Sequence, residues 1–323
     1  MLKGRVAVLR GGPSSEYDVS LRSGHLIMKN MPEGFEARDI FIDKQGRWHL
    51  GGVEKSPERI LRNFDVVFNA MHGEYGEDGK VQSLLESLHI PFNGSRSLPS
   101  AMAMNKVKTK EILGLYGIKT PKFTYIKKQE YTYGDLAELY ASLPRPIIVK
   151  PASAGSSIGI SFVNTFEELV NAVNSAFKIG DVVLLEEYIE GKEATCGVLD
   201  HSNGKDIYAL YPVEINFDKD KKIWDYQSKY DKHCHTCSCP SSFTKSIKDE
   251  IQEIAHKVHS ILELSHYSRS DFIISNDGSI YFLEVNTLPG LTETSLFPLS
   301  LKAVDIKMSK FIDHVLTLAL KRK

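Results

Sequence analysis

Cysteine is scarce in this 323-residue chain: four residues, too few for a disulfide framework in a protein of this size. Net charge is scarcer still, with 40 Lys and Arg against 41 Asp and Glu, so no global field favours nucleic acid or an anionic membrane. No run approaches the ~18 uninterrupted apolar residues of a membrane span, and the opening "MLKGRVAVLRGG" has no signal-peptide hydrophobic region. Internal repeats, low-complexity tracts and charge blocks are missing as well. These absences leave a compact cytoplasmic enzyme as the expectation, and the length implies two or three domains.

Three of the four cysteines, Cys234, Cys237 and Cys239, crowd into "KHCHTCSCP" beside His233 and His235, so a zinc site has to be weighed. Zinc sites join one close ligand pair to a second pair farther along, and no distant CxxC or HxxxH is found. The residues favour reduced thiols in an ordinary loop.

The first third alternates strand, loop and helix. "RVAVL", "EARDIFI" and "FDVVFNA" read as buried strands, and "SEYDVSLRSGHLIMKNM" as an amphipathic helix entered through a Ser/Glu-rich cap. Such units argue for a parallel sheet covered by helices, with ligands at the carboxyl ends of strands, where the loops "RGGPSSE" and "MHGEYGEDG" follow. "FNGSRSLPSAMAMNK" reads as a domain boundary. The middle third alternates helices with the strands "KFTYI", "PIIVK", "GISFV" and "DVVLLEEYI". The last third begins with three strand-like runs and a polar loop from about 218 to 240. A long helix follows, on which His256 and His259 read as surface residues, then a hairpin and a closing helix from about 300.

The hairpin "DFIISNDGSIYFLEVN", residues 271 to 286, carries the most specific geometry. Asp277-Gly278 signals a two-residue type I′ loop, which needs φ > 0 at both positions. Cross-strand partners then have a constant sum of residue numbers, which sets Asp271 opposite Glu284 and Arg269 opposite Asn286. Ile273 and Phe282 fall on the same face; Phe272, Ile274, Tyr281, Leu283 and Val285 point the other way, into core. Two like charges with Cβ atoms about 5 Å apart destabilise a sheet. Two remedies are open on the residues alone. One is a hard divalent cation such as magnesium, held by Asp271, Glu284 and the Asn286 amide oxygen. The other is neutralisation by Arg269 or by a proton.

"KPASAGSSIGI", residues 150 to 160, sits between two apolar runs. Small residues let backbone approach a phosphate chain, N–H groups and the Ser156 and Ser157 hydroxyls donate to it, and Lys150 adds a point charge. The lysine precedes the glycines, which excludes a Walker-type loop; alone, the segment reads equally as a flexible connector. "VVLLEEYIEGKE", residues 182 to 193, ends a strand with Glu186 and Glu187, followed by Tyr188 and Ile189. An adenine beside it would be read by Glu186 and the amides of the next residues, with Glu193 left for ribose hydroxyls. Alone, this segment reads as a solvated charged edge.

In this order, "KPASAGSSIG", "LLEEYIEGKE" and "RSDF…FLEVNTLPG" resemble the ATP-grasp superfamily. With "GGPSSEYDVS" and "HGEYGEDG" ahead of them, the chain over essentially its full length is similar to the D-alanine–D-alanine ligase family. The resemblance implies an α/β and α+β architecture of three domains: an N-terminal parallel-sheet domain over 1–97, a central α+β domain with the phosphate loop over 98–186, and a mostly antiparallel C-terminal domain over 187–323. It implies ATP between the central and C-terminal sheets, contacted by Lys106, Lys150, Ser156, Ser157, Glu186, Glu187, Tyr188, Ile189, Glu193 and Lys229, with Phe282 packing on adenine. Asp271, Glu284 and Asn286 would hold two Mg2+ or Mn2+ ions. Glu16, His72, Arg269, Gly290, Ser295 and Leu296 would contact the amino acids. A homodimer is implied too, with no nucleic-acid or membrane partner.

The implied reaction condenses two D-alanines for peptidoglycan synthesis. A carboxylate is a poor electrophile, so the first D-alanine becomes an acyl phosphate, and catalysis is positioning plus electrostatics. Arg269 and the Gly290 N–H would face the oxyanion. Glu16 would pair with the first ammonium group, Ser156 and Tyr230 would link it to the second substrate, and the polar loop would close as a lid. Lys229-Tyr230 matches peptide-forming members; relatives that make an ester with D-lactate have a histidine at that tyrosine. D-Alanine is therefore the expected second substrate, ahead of D-lactate or D-serine, and a catalytically silent nucleotide-binding regulator is the alternative from another class. The chain departs from the family pattern at Arg10, Met71 and Glu187.

Overall fold

The computed structural model describes residues 4–155, 158–202, 204–217 and 235–322. The strands β1 (Gly4–Gly11), β2 (Phe35–Ile42), β3 (Trp48–Leu50), β4 (Val53–Glu54) and β5 (Val66–Asn69) form one sheet, ordered β4-β3-β2-β1-β5. β1 runs parallel to β2 and to β5. Its side chains feed two cores: Val6 and Val8 enter one, Ala7 and Leu9 another with Ile40, Ile42 and Trp48. Burial on both faces is why "RVAVL" has no polar alternation. The sequence reading has no counterpart of the antiparallel β3–β4 hairpin, although Gly51-Gly52 between its strands is a strong two-residue loop signal.

Helices α1 (Tyr17–Lys29), α2 (Pro57–Leu61) and α3 (Lys80–Ser87) accompany this sheet. Arg10, the departure before the first Gly pair, forks onto Asp39 (2.7 and 2.6 Å). Its stem crosses Gly24 of α1, where a Cβ would lie 2.7 Å from the Arg10 Cβ. The stretch read as a boundary folds as α4 (Ser97–Met104), followed at once by α5 (Lys106–Leu115).

The second sheet is antiparallel: β6 (Phe123–Lys127), β7 (Ile147–Pro151), β8 (Ser161–Val163) and β9 (Val182–Glu187), ordered β6-β9-β7-β8. Helices α6 (Tyr133–Ser142) and α7 (Phe166–Ala176) start in capping boxes, Thr132 with Asp135 and Thr165 with Glu168. They bury Leu136, Leu169 and Val173 against Ile147, Val149 and Val183.

The third sheet joins β10 (Gly191–Ser202), β11 (Lys205–Ala209), β12 (Val213–Phe217), β13 (His235–Ser238), β14 (Tyr267–Ser275) and β15 (Ile280–Asn286), ordered β13-β12-β10-β14-β15 with β11 also on β10. Helix α8 (Lys245–Ile261) lays Ile251, Ala255 and Val258 on one face. Where one closing helix was expected, two form, α9 (Leu296–Lys302) and α10 (Met308–Lys321). α10 returns to the first sheet, packing Phe311, Val315 and Leu316 with Val6, Val8 and Phe68 in one core. Among the described residues no helix is long and apolar enough to cross a membrane.

Two expectations in this region are corrected. His259 is buried rather than superficial, its Nδ1 2.7 Å from Ser268 Oγ and its Nε2 2.9 Å from Asp200 Oδ1. The cysteine-rich stretch is not simply loop: β13 pairs with β12, and Cys237 and Cys239 pack near Val213, Ile215 and Leu296. Burial pushes both thiols up to about 11, so they stay protonated at neutral pH. Cys234 and His233 lie outside the described residues.

The β14–β15 hairpin reaches its expected register by a different route. The Ser275 N–H donates to Ser279 O, and of Asp277 and Gly278 only Gly278 has positive φ (+83°). The loop therefore has three residues and ends in a left-handed glycine, not the two-residue type I′ turn. Near the turn Phe272 pairs with Phe282 and Ile273 with Tyr281. A bulge then inserts Leu283 and restores Asp271 opposite Glu284 and Arg269 opposite Asn286. Phe282 consequently leaves the expected ligand face and stacks edge-on with Phe272 in the α8 core (centroids 6.1 Å). Phe282 thus faces the core and not an adenine, contrary to expectation, and half-buried Ile273 and Leu283 remain on the other side.

Two glycines with the same backbone sign test this account. Gly278→Ala meets no atom within 4 Å, so only the left-handed backbone should cost, about 1–2 kcal/mol. Gly11→Ala adds a clash with the Ile42 carbonyl and should cost clearly more. Equal losses in urea midpoint would show that space at Gly11 is immaterial.

Candidate active site

Alternation along β10, β14 and β15 brings Thr195, Asp271 and Glu284 into line across the third sheet. Asp271 is buried and accepts from Arg269 Nε (2.9 Å), Arg269 Nη2 (3.0 Å), Thr195 Oγ1 (2.6 Å) and Asn286 Nδ2 (3.3 Å). Glu284 pairs with Lys106 Nζ at 3.1 Å, and Lys106 also donates to Ala154 O. Leaving the buried Asp271 carboxylate without a partner would cost several kcal/mol. Each acid has its own cation instead. Burial opposes the charge on Arg269, but the Asp271 carboxylate outweighs it and pushes the guanidinium pKa up. Arg269 thus supplies one of the two remedies left open by the sequence. The donor set suits a hard cation as well: two carboxylates and the Asn286 Oδ1 that Asp271 does not engage.

A third carboxylate lies deeper. Glu186, near the end of β9, sits between Lys110 Nζ (2.7 Å) and Lys150 Nζ (2.6 Å). Burial alone would raise its pKa, yet the two ammonium groups win and lower it. Burial pulls the Lys110 ammonium, which has no exposed side-chain area, down to about 8. Both oxygens pair with ammonium groups, although Oε1 has no well-directed hydrogen bond. The following amides are also committed: Glu187 N donates to Lys122 O and Tyr188 N to Pro146 O. Neither of these two amides is therefore free for an adenine, contrary to expectation. Glu187, where the family pattern has lysine, accepts from Lys122 N at 2.8 Å, and the Tyr188 ring packs edge-on to Phe162. Glu193 pairs in register with Ile273, two residues from Thr195 and so on the same face.

The loop after β5 approaches from the first sheet. His72 is buried, with Nδ1 2.9 Å from Leu288 O and Nε2 2.8 Å from Ser23 Oγ. A carbonyl can only accept, so Nδ1 carries the hydrogen and Nε2 accepts from the serine hydroxyl; Ser23 Oγ in turn accepts from Leu291 N. Burial lowers the His72 pKa, and the ring is neutral. Glu77 accepts from Gly73 N (2.7 Å) and Leu288 N (3.0 Å). Burial, reinforced by nearby Glu16, raises its carboxyl to about 8, against the two amide donors. Leu288 is thus held by both its N–H and its C=O. Glu16 reaches the phosphate-loop side: a Cβ added at Gly155 would lie 2.5 Å from Glu16 Oε2.

Gly290 packs against Ser295, where a Cβ would lie 2.9 Å from Oγ. Ser295 Oγ accepts from Thr292 N and precedes α9. The Leu296 side chain is buried with Val213 and Ile215, so any contact from Leu296 to an amino acid falls to its backbone. Ser156, Ser157, Lys229 and Tyr230 lie outside the described residues. Lys110 and Glu77 escape sequence reasoning; the available signals were the i, i+4 spacing of Lys110 from Lys106 on α5 and an acid within the Gly-rich loop. Among the described residues no three His, Cys, Asp or Glu side chains gather as metal ligands.

Two family models match the chain: "D-ala D-ala ligase N-terminus" over residues 5–62 and 51–95, and "D-ala D-ala ligase C-terminus" over residues 112–317. A D-alanine--D-alanine ligase of Syntrophotalea carbinolica is 37% identical over 320 residues, covering 99% of this chain and 97% of the relative. Among solved structures, a D-Ala:D-Ser ligase of Enterococcus faecalis superposes with a TM-score of 0.86 at 31% identity, covering 98% of this chain and 99% of the other. The D-alanine--D-alanine ligase of Bacillus anthracis complexed with ATP gives 0.80 at 29% identity, covering 98% of each chain.

The neutral His72 has a pH consequence. Its folded pKa lies below the unfolded value of 6.5, so the unfolded chain takes the proton first as pH falls. The stability that His72 contributes is complete above about 6.5 and declines below it. His72→Asn, which retains a donor toward Leu288 O, should lose less stability than the parent between pH 7.5 and 5.5 in urea titrations. Parallel declines in the two proteins would refute the neutral assignment.

Proposed function

Because the chain belongs to the D-alanine–D-alanine ligase family, we propose that it condenses two D-alanines to D-alanyl-D-alanine, converting ATP to ADP and phosphate, to supply peptidoglycan precursors. Its fold is that of the ATP-grasp ligases. The observation that carries the reading is the Lys106–Glu284 ion pair, through which a lysine of α5 meets the acid pair of β14–β15. This supports a shared place for the phosphate-binding and metal-binding residues.

On this reading Lys106, Lys150 and the 150–160 loop with Ser156 and Ser157 hold the phosphates, Ile189 reads the base and Glu193 the ribose, and Lys229 joins from the lid. Asp271, Glu284 and Asn286 hold magnesium or manganese, which when bound neutralises phosphate charge beside them. Glu16, His72 and Ser295 bind the amino acids. A carboxylate oxygen of the first D-alanine attacks the γ-phosphorus as the bond to the ADP oxygen breaks, giving an acyl phosphate. The free amine of the second D-alanine attacks its carbonyl carbon; Arg269, whose Nη1 is not committed to Asp271, and the Gly290 N–H stabilise the oxyanion, and phosphate departs. Ser156 and Tyr230 connect Glu16 to the second substrate. The enzyme works in the cytoplasm as a homodimer, with its domains at 1–97, 98–186 and 187–323. A similar structure is a D-Ala:D-Ser ligase, which makes D-serine the second reading for the acceptor.

Incubation with ATP, magnesium and D-alanine, followed by mass spectrometry, should reveal the dipeptide, and parallel reactions with added D-serine or D-lactate should still yield mainly D-alanyl-D-alanine. Nucleotide binding without any dipeptide would overturn the assignment. Glu284→Gln should keep its circular dichroism spectrum yet lose about a hundredfold or more in turnover, as expected when charge stabilisation at a reacting group is removed. Near-parental activity would remove Glu284 from the metal site.

A further inference from the structure

Lys110 has a charge but nowhere to use it on a ligand. Its side chain is wholly enclosed, with Nζ 2.7 Å from Glu186 Oε1, 3.5 Å from Phe282 O and 5.9 Å from the Phe123 ring centroid. Lys150, by contrast, keeps 9% of its side chain exposed and holds the other oxygen of the same carboxylate at 2.6 Å. Glu186 therefore has two cations, one fully enclosed and one that reaches the edge of the site. A buried carboxylate with a single cation would bind it strongly, because removing the partner strands the charge in a poorly solvated place.

We propose that Lys110 is a positioning residue, a permanent counter-ion that keeps Glu186 satisfied and so releases Lys150 to move onto the nucleotide phosphates. This deepens the ligase reading and rests on it. When phosphate draws Lys150 away, Glu186 retains Lys110, and the exchange costs little. Without Lys110 the same movement leaves Glu186 bare, and Lys150 stays where it is. Arg269, Asp271 and the amino-acid side are untouched by the exchange.

The test is calorimetric titration with magnesium and the non-hydrolysable ATP analogue AMP-PNP. Lys110→Met should weaken binding tenfold or more, whereas Lys110→Arg, which keeps the charge, should stay within threefold of the parent. The KM for D-alanine should move less than twofold in Lys110→Met, a split that general loosening of the fold would not give. Lys110→Met combined with Glu186→Gln removes the competing carboxylate together with its counter-ion and should restore affinity to within threefold. A double variant that binds no better than Lys110→Met, or a Lys110→Met that binds like the parent, overturns the proposal. Should Lys110→Met not fold, the double variant decides alone, and tenfold weaker binding than the parent counts against the idea. A parent protein that fails to bind AMP-PNP would instead sink the ligase reading itself.

Discussion

The pairing of three carboxylates with cations, Asp271 and Glu186 buried and Glu284 half-buried, organises this site. Asp271 has Arg269, Glu284 has Lys106, and Glu186 has both Lys110 and Lys150. Three acids against four cations leave one positive charge in excess, in surroundings where charges are poorly screened. Such a place favours a polyphosphate. On the side of Glu16 and His72 no such excess accumulates: His72 is neutral, and Glu77, its carboxyl raised to about 8, mostly holds its proton at neutral pH. The two neighbouring regions thus differ in charge before any part of the protein moves.

What holds the two regions in register is one residue of backbone. Leu288 donates to Glu77 and accepts from His72, both from the loop after β5, and it follows Asn286 by two positions. Behind it the first and third sheets share a single core that includes Phe68, Tyr267, Leu288, Phe297 and Phe311. Packing at this density transmits displacement rather than absorbing it. The loop carrying His72 and the hairpin carrying the acids are therefore parts of one frame, although His72 and Leu288 are 216 residues apart in the chain.

Much of the fold was legible because the strands are either doubly buried or cleanly alternating, and because the helices of the second sheet begin in capping boxes. The antiparallel β3–β4 pair was equally legible in Gly51-Gly52 but is too short to stand out by apolar content. Strand β13 was hidden because "HTCS" has neither alternation nor β-branched bulk beyond Thr236; it is a strand only because β12 offers it an edge. The acid pair could be found from sequence alone, whereas its counter-ions could not: Lys106 and Lys110 come from α5, and no local pattern says which carboxylate a distant lysine will meet. The same holds for His259, whose burial depends on Asp200 and Ser268 arriving from other strands. The lysines paired with Glu186 and the carbonyls that accept from Glu187 N and Tyr188 N are likewise distant in sequence.

The hairpin offers a lesson in how insertions and deletions could be absorbed. Its tip is a three-residue loop closed by the Ser275–Ser279 pair, and its register shift is the bulge at Leu283, just before the acids. A residue lost from the tip would leave that closing pair and the acids in line, because the strands beyond the loop set the pairing. A residue added between Leu283 and Glu284 would instead move Glu284 away from Asp271 and turn Asn286 to the opposite surface. Length variation in this ribbon should therefore collect at its tip, while its base stays fixed in phase.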